Sequence, residues 1–145
     1  MVIREINIDD RDGLLELYTH LHEDGIPAVD EKLDALWKRI VNDKDYHIIV
    51  AEADGKIVSS CTCVIIPNLT RKQSPYAFVE NVVTHSDYRK QGLASACLER
   101  AKQIAAEEGC YKMMLLTGSK EESTLRFYEA AGYNREDKTA FIQWI

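Results

Sequence analysis

A chain of 145 residues, 46% hydrophobic and 29% charged, is long enough for one compact domain with a real core, which excludes disorder as the dominant state. Its net charge of −6 argues against generic nucleic-acid binding, which needs a basic face to displace counterions. No apolar stretch approaches a membrane span, and Met1-Val2-Ile3-Arg4-Glu5-Ile6 is no signal peptide, so a cytoplasmic protein without a membrane partner is expected.

Val2 to Ile6 alternates like a first strand. Asp9 is placed to cap a helix whose inner row is Leu14, Leu17, Tyr18 and Leu21, and Gly25-Ile26-Pro27 breaks it. Asp30 then caps a second helix carrying Leu33, Leu36, Trp37 and Ile40. Tyr46 to Ala53 and Lys56 to Ile66 read as strands joined by Asp54-Gly55, a two-residue hairpin signal. Residues 67–75 form a long loop, a kind of segment often used in function. Its Arg71-Lys72 pair is either a solvated face or a receiver for a phosphate or carboxylate on a substrate.

Tyr76 to Thr84 is a strand rich in β-branched and aromatic residues, with the carboxylate of Glu80 in its middle. It leads through Asp87-Tyr88-Arg89-Lys90-Gln91-Gly92-Leu93-Ala94 into a helix with apolar rows at Leu93, Cys97, Ala101 and Ile104 and at Ala94, Leu98, Ala101 and Ala105. A basic, glycine-containing turn that opens a helix leaves backbone N–H groups free at the positive end of the helix dipole, a ready site for a pyrophosphate. Gly92 admits the phosphates close to the backbone, Ala94 keeps the first turn uncrowded, and Arg89 and Lys90 add charge at the rim. The helix is expected to end near Gly109, and Tyr111 to Thr117 reads as a buried parallel strand, so residues 76–117 make one β-α-β unit. Ser119 and Glu122 have capping-box spacing before a last helix with Leu125, Tyr128 and Ala131 inside, closed by Gly132. A final strand is expected from Thr139 to Ile145. The order is β-α-α-β-β-β-α-β-α-β, a single α/β domain over residues 1–145 with a mixed sheet and helices on both faces.

Cys61, Cys63, Cys97 and Cys110 are expected as reduced thiols. Cys61 and Cys63 point one way from a strand and suit a small core row, and no second pair completes a tetrahedral metal site. No chemistry is assigned to His20, His22, His47 or His85.

Residues 76–133 resemble the acetyl-CoA-binding heart of the GNAT superfamily of N-acetyltransferases. The resemblance rests on Glu80-Asn81-Val82-Val83, Tyr88-Arg89-Lys90-Gln91-Gly92-Leu93-Ala94, Gly109-Cys110-Tyr111-Lys112 and Phe127-Tyr128-Glu129-Ala130-Ala131-Gly132-Tyr133. These words are most similar to the small glucosamine-6-phosphate N-acetyltransferases. The resemblance implies a mostly antiparallel sheet, acetyl-CoA as co-substrate, no metal, and acetyl transfer to a primary amine of a small molecule through a ternary complex. A protein or peptide amine acetyltransferase and a non-catalytic acyl-CoA sensor are the alternatives, and a homodimer is compatible with either form.

Acyl transfer from a thioester needs a base for the amine, a donor for the carbonyl oxygen and a donor for the leaving thiolate. Glu80 is the base candidate, directly or through a water, with burial expected to raise its pKa toward neutrality; its bland alternative is a carboxylate paired at the sheet surface. Tyr128 is the general-acid candidate for the coenzyme A sulfur, or else a core tyrosine. The resemblance implies that Val82, Val83 and Thr84 offer backbone groups to pantetheine, with a Val82 or Val83 N–H aimed at the thioester oxygen. Arg89, Lys90, Gln91, Gly92, Leu93, Ala94 and Ser95 form the pyrophosphate cradle. Asn81 departs from the nearest branch, which commonly carries a second acid there. Thr124 stands where related enzymes often carry a cofactor-contacting asparagine.

Overall fold

The computed structural model describes residues 1–22 and 24–145. Five strands pair in sequence order: β1 (Val2–Glu5), β2 (Tyr46–Ala53), β3 (Lys56–Ile66), β4 (Tyr76–Thr84) and β5 (Met113–Leu115). The first three pairings are antiparallel and the last, β4 with β5, is parallel. Four helices pack on this mostly antiparallel sheet: α1 (Arg11–Tyr18), α2 (Glu31–Asn42), α3 (Leu93–Glu107) and α4 (Glu122–Ala130).

Alternation along the strands sends side chains to two cores. One face carries Ile49, Ala51, Cys61, Cys63, Ala77 and Val79 against Leu93, Cys97, Leu98, Ala101 and Ile104 of α3, with Phe127 and Tyr128 of α4 at its margin. The other carries Ile48, Val50 and Val83 against Leu14 and Leu17 of α1 and Trp37 of α2. Helices therefore cover both faces, and the cysteines of β3 are core residues. Burial pushes the thiol of Cys63 up to about 11. Arg4 ties β1 to the start of α1, bonding Asp10 at 2.7 and 2.9 Å and Glu52 at 3.0 Å.

Helix ends follow capping chemistry, with two corrections. Asn7, two residues before Asp9, is the cap: it accepts from the Asp9 N–H and forms a capping box with Asp10 around a short 3-10 turn. Helix α1 then ends at Tyr18, so Leu21 packs from beyond it. Asp30 caps α2 as expected, accepting from Leu33 N–H at 2.9 Å, although Leu36 faces out. Ser119 and Glu122 make no capping box. Ser119 Oγ accepts from the nearby Glu121 N–H at 3.3 Å, whereas Glu122 is drawn into ion pairs with Arg126 and Arg135. Gly109 and Gly132 terminate α3 and α4 in the left-handed region, each within a pair of Schellman hydrogen bonds.

Two elements depart further from expectation. Strand β5 holds three residues instead of the seven from Tyr111 to Thr117. Residues 139–145 form no strand, and Phe141 and Trp144 are 92% and 86% exposed. Alternating apolar residues become a strand only where an edge receives them, and this segment lies against none of its own domain.

Candidate active site

Strand β4 carries a bulge at its middle. Thr62 faces Glu80, but Ser60 faces Val83, so Asn81 and Val82 together oppose Cys61. Asn81 takes the left-handed conformation, φ 51°. Asparagine tolerates that region better than most residues, which gives a physical reason for its presence whatever its charge. The extra residue reverses the parity of the strand. Before it Ala77 and Val79 enter the α3 core; after it Val82 packs there and Val83 enters the α1 and α2 core.

Pairing with β5 stops just ahead of the bulge, at Val79 with Leu115. Strand β5 itself ends there, and the main-chain groups of residues 80–84 that point away from β3 have no neighbouring strand. Such groups can pair with an extended ligand as a further strand would. The end of β4 is anchored on the β3 side: Ser59 Oγ donates to the Val83 carbonyl at 3.0 Å and lies 2.8 Å from Thr84 Oγ1.

The turn after β4 delivers the chain to α3. Lys90 and Gly92 are both left-handed, φ 61° and 76°, and Gly92 is the N-cap of α3, with no side chain bonded into the cap. Among the described residues, the N–H groups from Lys90 to Ser95 have no hydrogen-bond partner. Fifteen residues of helix dipole stand behind them. Arg89 is exposed, its Nε donating to the Thr84 carbonyl at 3.3 Å, which leaves its other nitrogens free. A groove of about 510 Å³ starts at Ser95 and runs between α3 and α4 past Lys102 and Phe127.

Glu80 is exposed, so the burial expected to tune it is absent. Register puts it on the α1 and α2 face in a row with Thr62 and Ile48, beside half-buried Phe78, Val64 and Tyr46. Burial first, and the Glu80 carboxylate second, raise the Tyr46 phenol above its ordinary value. Tyr128 belongs to the opposite face, packed at the margin of the α3 core with its ring 5.1 Å from Phe127 and 6.3 Å from Tyr133. Burial, then Cys61, raises its phenol, so it stays protonated at neutral pH. Thr124 Oγ1 accepts from Ser119 Oγ at 3.2 Å. The fold thus brings Glu80, Val82, Val83, Thr84 and the turn 89–95 to one split edge. The bulge at Asn81 and the floor made by Phe78 and Val64 were not predicted. The only hint of the bulge was an asparagine inside an apolar strand.

Residues 13–133 match the family described as Acetyltransferase (GNAT) family. A glucosamine 6-phosphate N-acetyltransferase of Trypanosoma brucei brucei is 33% identical over 84 residues, 58% of this chain and 55% of that protein, so the chain spans about half that relative's length. A glucosamine 6-phosphate N-acetyltransferase of Arabidopsis thaliana is 30% identical over 138 residues, 92% of this chain and 90% of that protein. A solved structure from Agrobacterium tumefaciens str. C58 superposes with a TM-score of 0.93 at 35% identity, covering 100% of both chains.

Proposed function

The chain belongs to the acetyltransferase (GNAT) family, and on that premise we propose that it transfers an acetyl group from acetyl-CoA to a primary amine of a small molecule in a direct ternary complex. The observation that carries the reading is the bulge at Asn81 coinciding with the end of β4–β5 pairing, which opens a slot lined by unpaired backbone.

Pantetheine fits that slot as an added strand on residues 82–84, and the free N–H groups of residues 90–95 receive the pyrophosphate, with Arg89 and Lys90 at the rim. The groove from Ser95 gives the nucleotide end a path along α3. In the slot the thioester lies near Val82, whose N–H stabilises the charge that develops on the carbonyl oxygen. Glu80 takes the amine proton from the α1 and α2 side, through a water that its exposure admits. The departing sulfur faces the α3 side, where Tyr128 donates its phenolic proton. One proton leaves the amine, one reaches the thiolate, and the acetyl group passes between without a covalent enzyme intermediate.

Assembly as a homodimer belongs to the same proposal. Phe141 and Trp144 project into solvent, while the outer edge of β5 has no strand beside it among the described residues. Two aromatic rings bring roughly 300–500 Å² per copy. A reciprocal exchange doubles that, close to the ~1,000 Å² of a specific interface.

Release of free thiol from acetyl-CoA across amino sugars, aminoglycosides, polyamines, amino acids and peptides tests the function. Amine-dependent release with a small acceptor supports it. Acetyl-CoA binding without release for any amine would make the protein a sensor, and release with peptides alone would move the acceptor to proteins.

A further inference from the structure

The turn Arg71-Lys72-Gln73 is left-handed at three successive positions, φ 53°, 58° and 57°, without a glycine. Each such residue costs about 1–2 kcal/mol against ordinary backbone, so something must hold the turn. Asn68 does so, its Nδ2 donating to the carbonyls of Thr70 and Ser74 at 3.2 Å each. The conformation turns the Arg71 guanidinium over the Tyr111 ring, 5.6 Å from its centroid. Lys112 completes the group, its ammonium 5.1 Å from the Tyr76 ring and 5.3 Å from Tyr111. Among the described residues, Arg71, Lys72 and Lys112 form no ion pair, in a chain of net charge −6. Backbone strain and cationic charge coincide at this corner.

Register sets the corner on the acceptor side. Tyr76, Phe78 and Glu80 alternate along β4 and share one face, and Lys112 reaches the Tyr76 ring from beside it. Half-buried Phe78, Val64 and Met114 lie between the cations and Glu80. Four residues of strand separate Tyr76 from Glu80, about 13 Å. Glucosamine 6-phosphate, the compound named in relatives of this chain, spans roughly 8–9 Å from nitrogen to phosphorus over seven bonds, shorter than that backbone separation.

Resting on the acetyltransferase reading, we propose that the acceptor is an elongated amine with an anionic far end, its amine at Glu80 and its phosphate or carboxylate at Arg71 and Lys112, which sit beside the strand position about 13 Å from Glu80. The apolar floor between them takes the middle of the molecule, and the aromatic rings hold the two cations in position.

Binding and turnover test this separately. Aminooctyl phosphate, roughly 12–13 Å between nitrogen and phosphorus when extended, is titrated by calorimetry against aminooctanol, aminoethyl phosphate and glucosamine 6-phosphate. The expected result is at least tenfold tighter binding of the octyl phosphate than of the alcohol or either shorter phosphate. Lys112→Gln and Arg71→Gln should each reduce that preference several-fold, at an unchanged melting temperature. Aminononanoate in place of the phosphate shows which anion the corner favours, and a tenfold advantage for either over the alcohol upholds the site. Equal affinity for aminooctyl phosphate and aminooctanol, or a preference for glucosamine 6-phosphate untouched by Lys112→Gln, would overturn the inference. Because binding is read without turnover, an absence of thiol release would fail the acetyltransferase reading and leave this result standing on its own.

Discussion

Glu80 and Tyr128 lie on opposite faces of the sheet, on either side of the bulge at Asn81: Glu80 in register with Thr62 and Ile48, Tyr128 packed on the core that contains Cys61. In the proposed mechanism a proton acceptor and a proton donor are thereby separated by the backbone assigned to the reacting carbonyl.

Glu80→Gln keeps the size of the side chain and removes the proposed base. Turnover with an amine acceptor should fall roughly a hundredfold at neutral pH, with acetyl-CoA affinity retained. The deficit should narrow as pH rises and free amine becomes abundant. Steady-state rates from pH 6 to 10 check this, and a profile parallel to wild type would assign proton removal to another group.

Tyr128→Phe isolates the hydroxyl from the ring. The ring packs beside Phe127 and Tyr133 and should keep doing so, which leaves the melting temperature nearly unchanged. Turnover should drop roughly ten- to a thousandfold, and less with an acyl thioester whose thiolate is a weaker base. Full activity, or equal losses with both kinds of leaving group, returns Tyr128 to the core.

Asn81 is predicted to matter through conformation. Asn81→Gly, free at φ 51°, should retain activity within a few-fold, whereas Asn81→Val forces a β-branched residue into the left-handed region. That strain, about 1–2 kcal/mol, is relieved by flattening the bulge, so the Val variant should lose acetyl-CoA affinity and turnover together. Equal kinetics for Gly and Val would detach the slot from the bulge.

Stability should fall on the alkaline side. Burial raises Cys63 and Cys97 to about 11 from 9.0, and Tyr18 to about 12 from 10.0. The folded protein holds these protons longer than the unfolded chain. Their contribution is therefore fully present below pH 9.0 and is lost as pH rises through 11 and 12. Urea midpoints should be flat near neutrality and decline above about pH 9. Cys97→Ala, compared with its own value at neutral pH, should decline less steeply; an identical slope would remove Cys97 from the account.

Much of this was legible in the chain. Asp54-Gly55 forms its hairpin with both residues left-handed, Gly109 and Gly132 stop their helices, and Gly92 caps α3, because each position demands a backbone that few residues accept. Other features were not legible. Asn7 and Asp9 offer the same capping chemistry two residues apart, and the tie between Arg4 and Asp10 decides between them. The left-handed turn at Arg71 contains no glycine to announce it. The segment from Thr139 has strand composition, but it forms no strand because it does not pair with the free edge of β5.

That last point yields a prediction about assembly. The full chain should sediment as a dimer at micromolar concentration, and removal of residues 139–145 should give a folded monomer with less exposed apolar surface. A full-length monomer whose Trp144 fluorescence is that of a buried ring would mean that the segment closes on its own β5 instead.

The central claim, that coenzyme A is held by the backbone of residues 89–95 and the split beside β4, is tested most directly by calorimetry of acetyl-CoA binding to wild type and Gly92→Val. Space around a Cβ at residue 92 is open within the protein, so folding should survive apart from the strain of φ 76°. The added side chain stands where the phosphates would lie. Wild type should bind acetyl-CoA and the Val variant should lose at least tenfold in affinity while keeping its circular dichroism. Equal affinity in a folded Gly92→Val protein would contradict the assignment of the site.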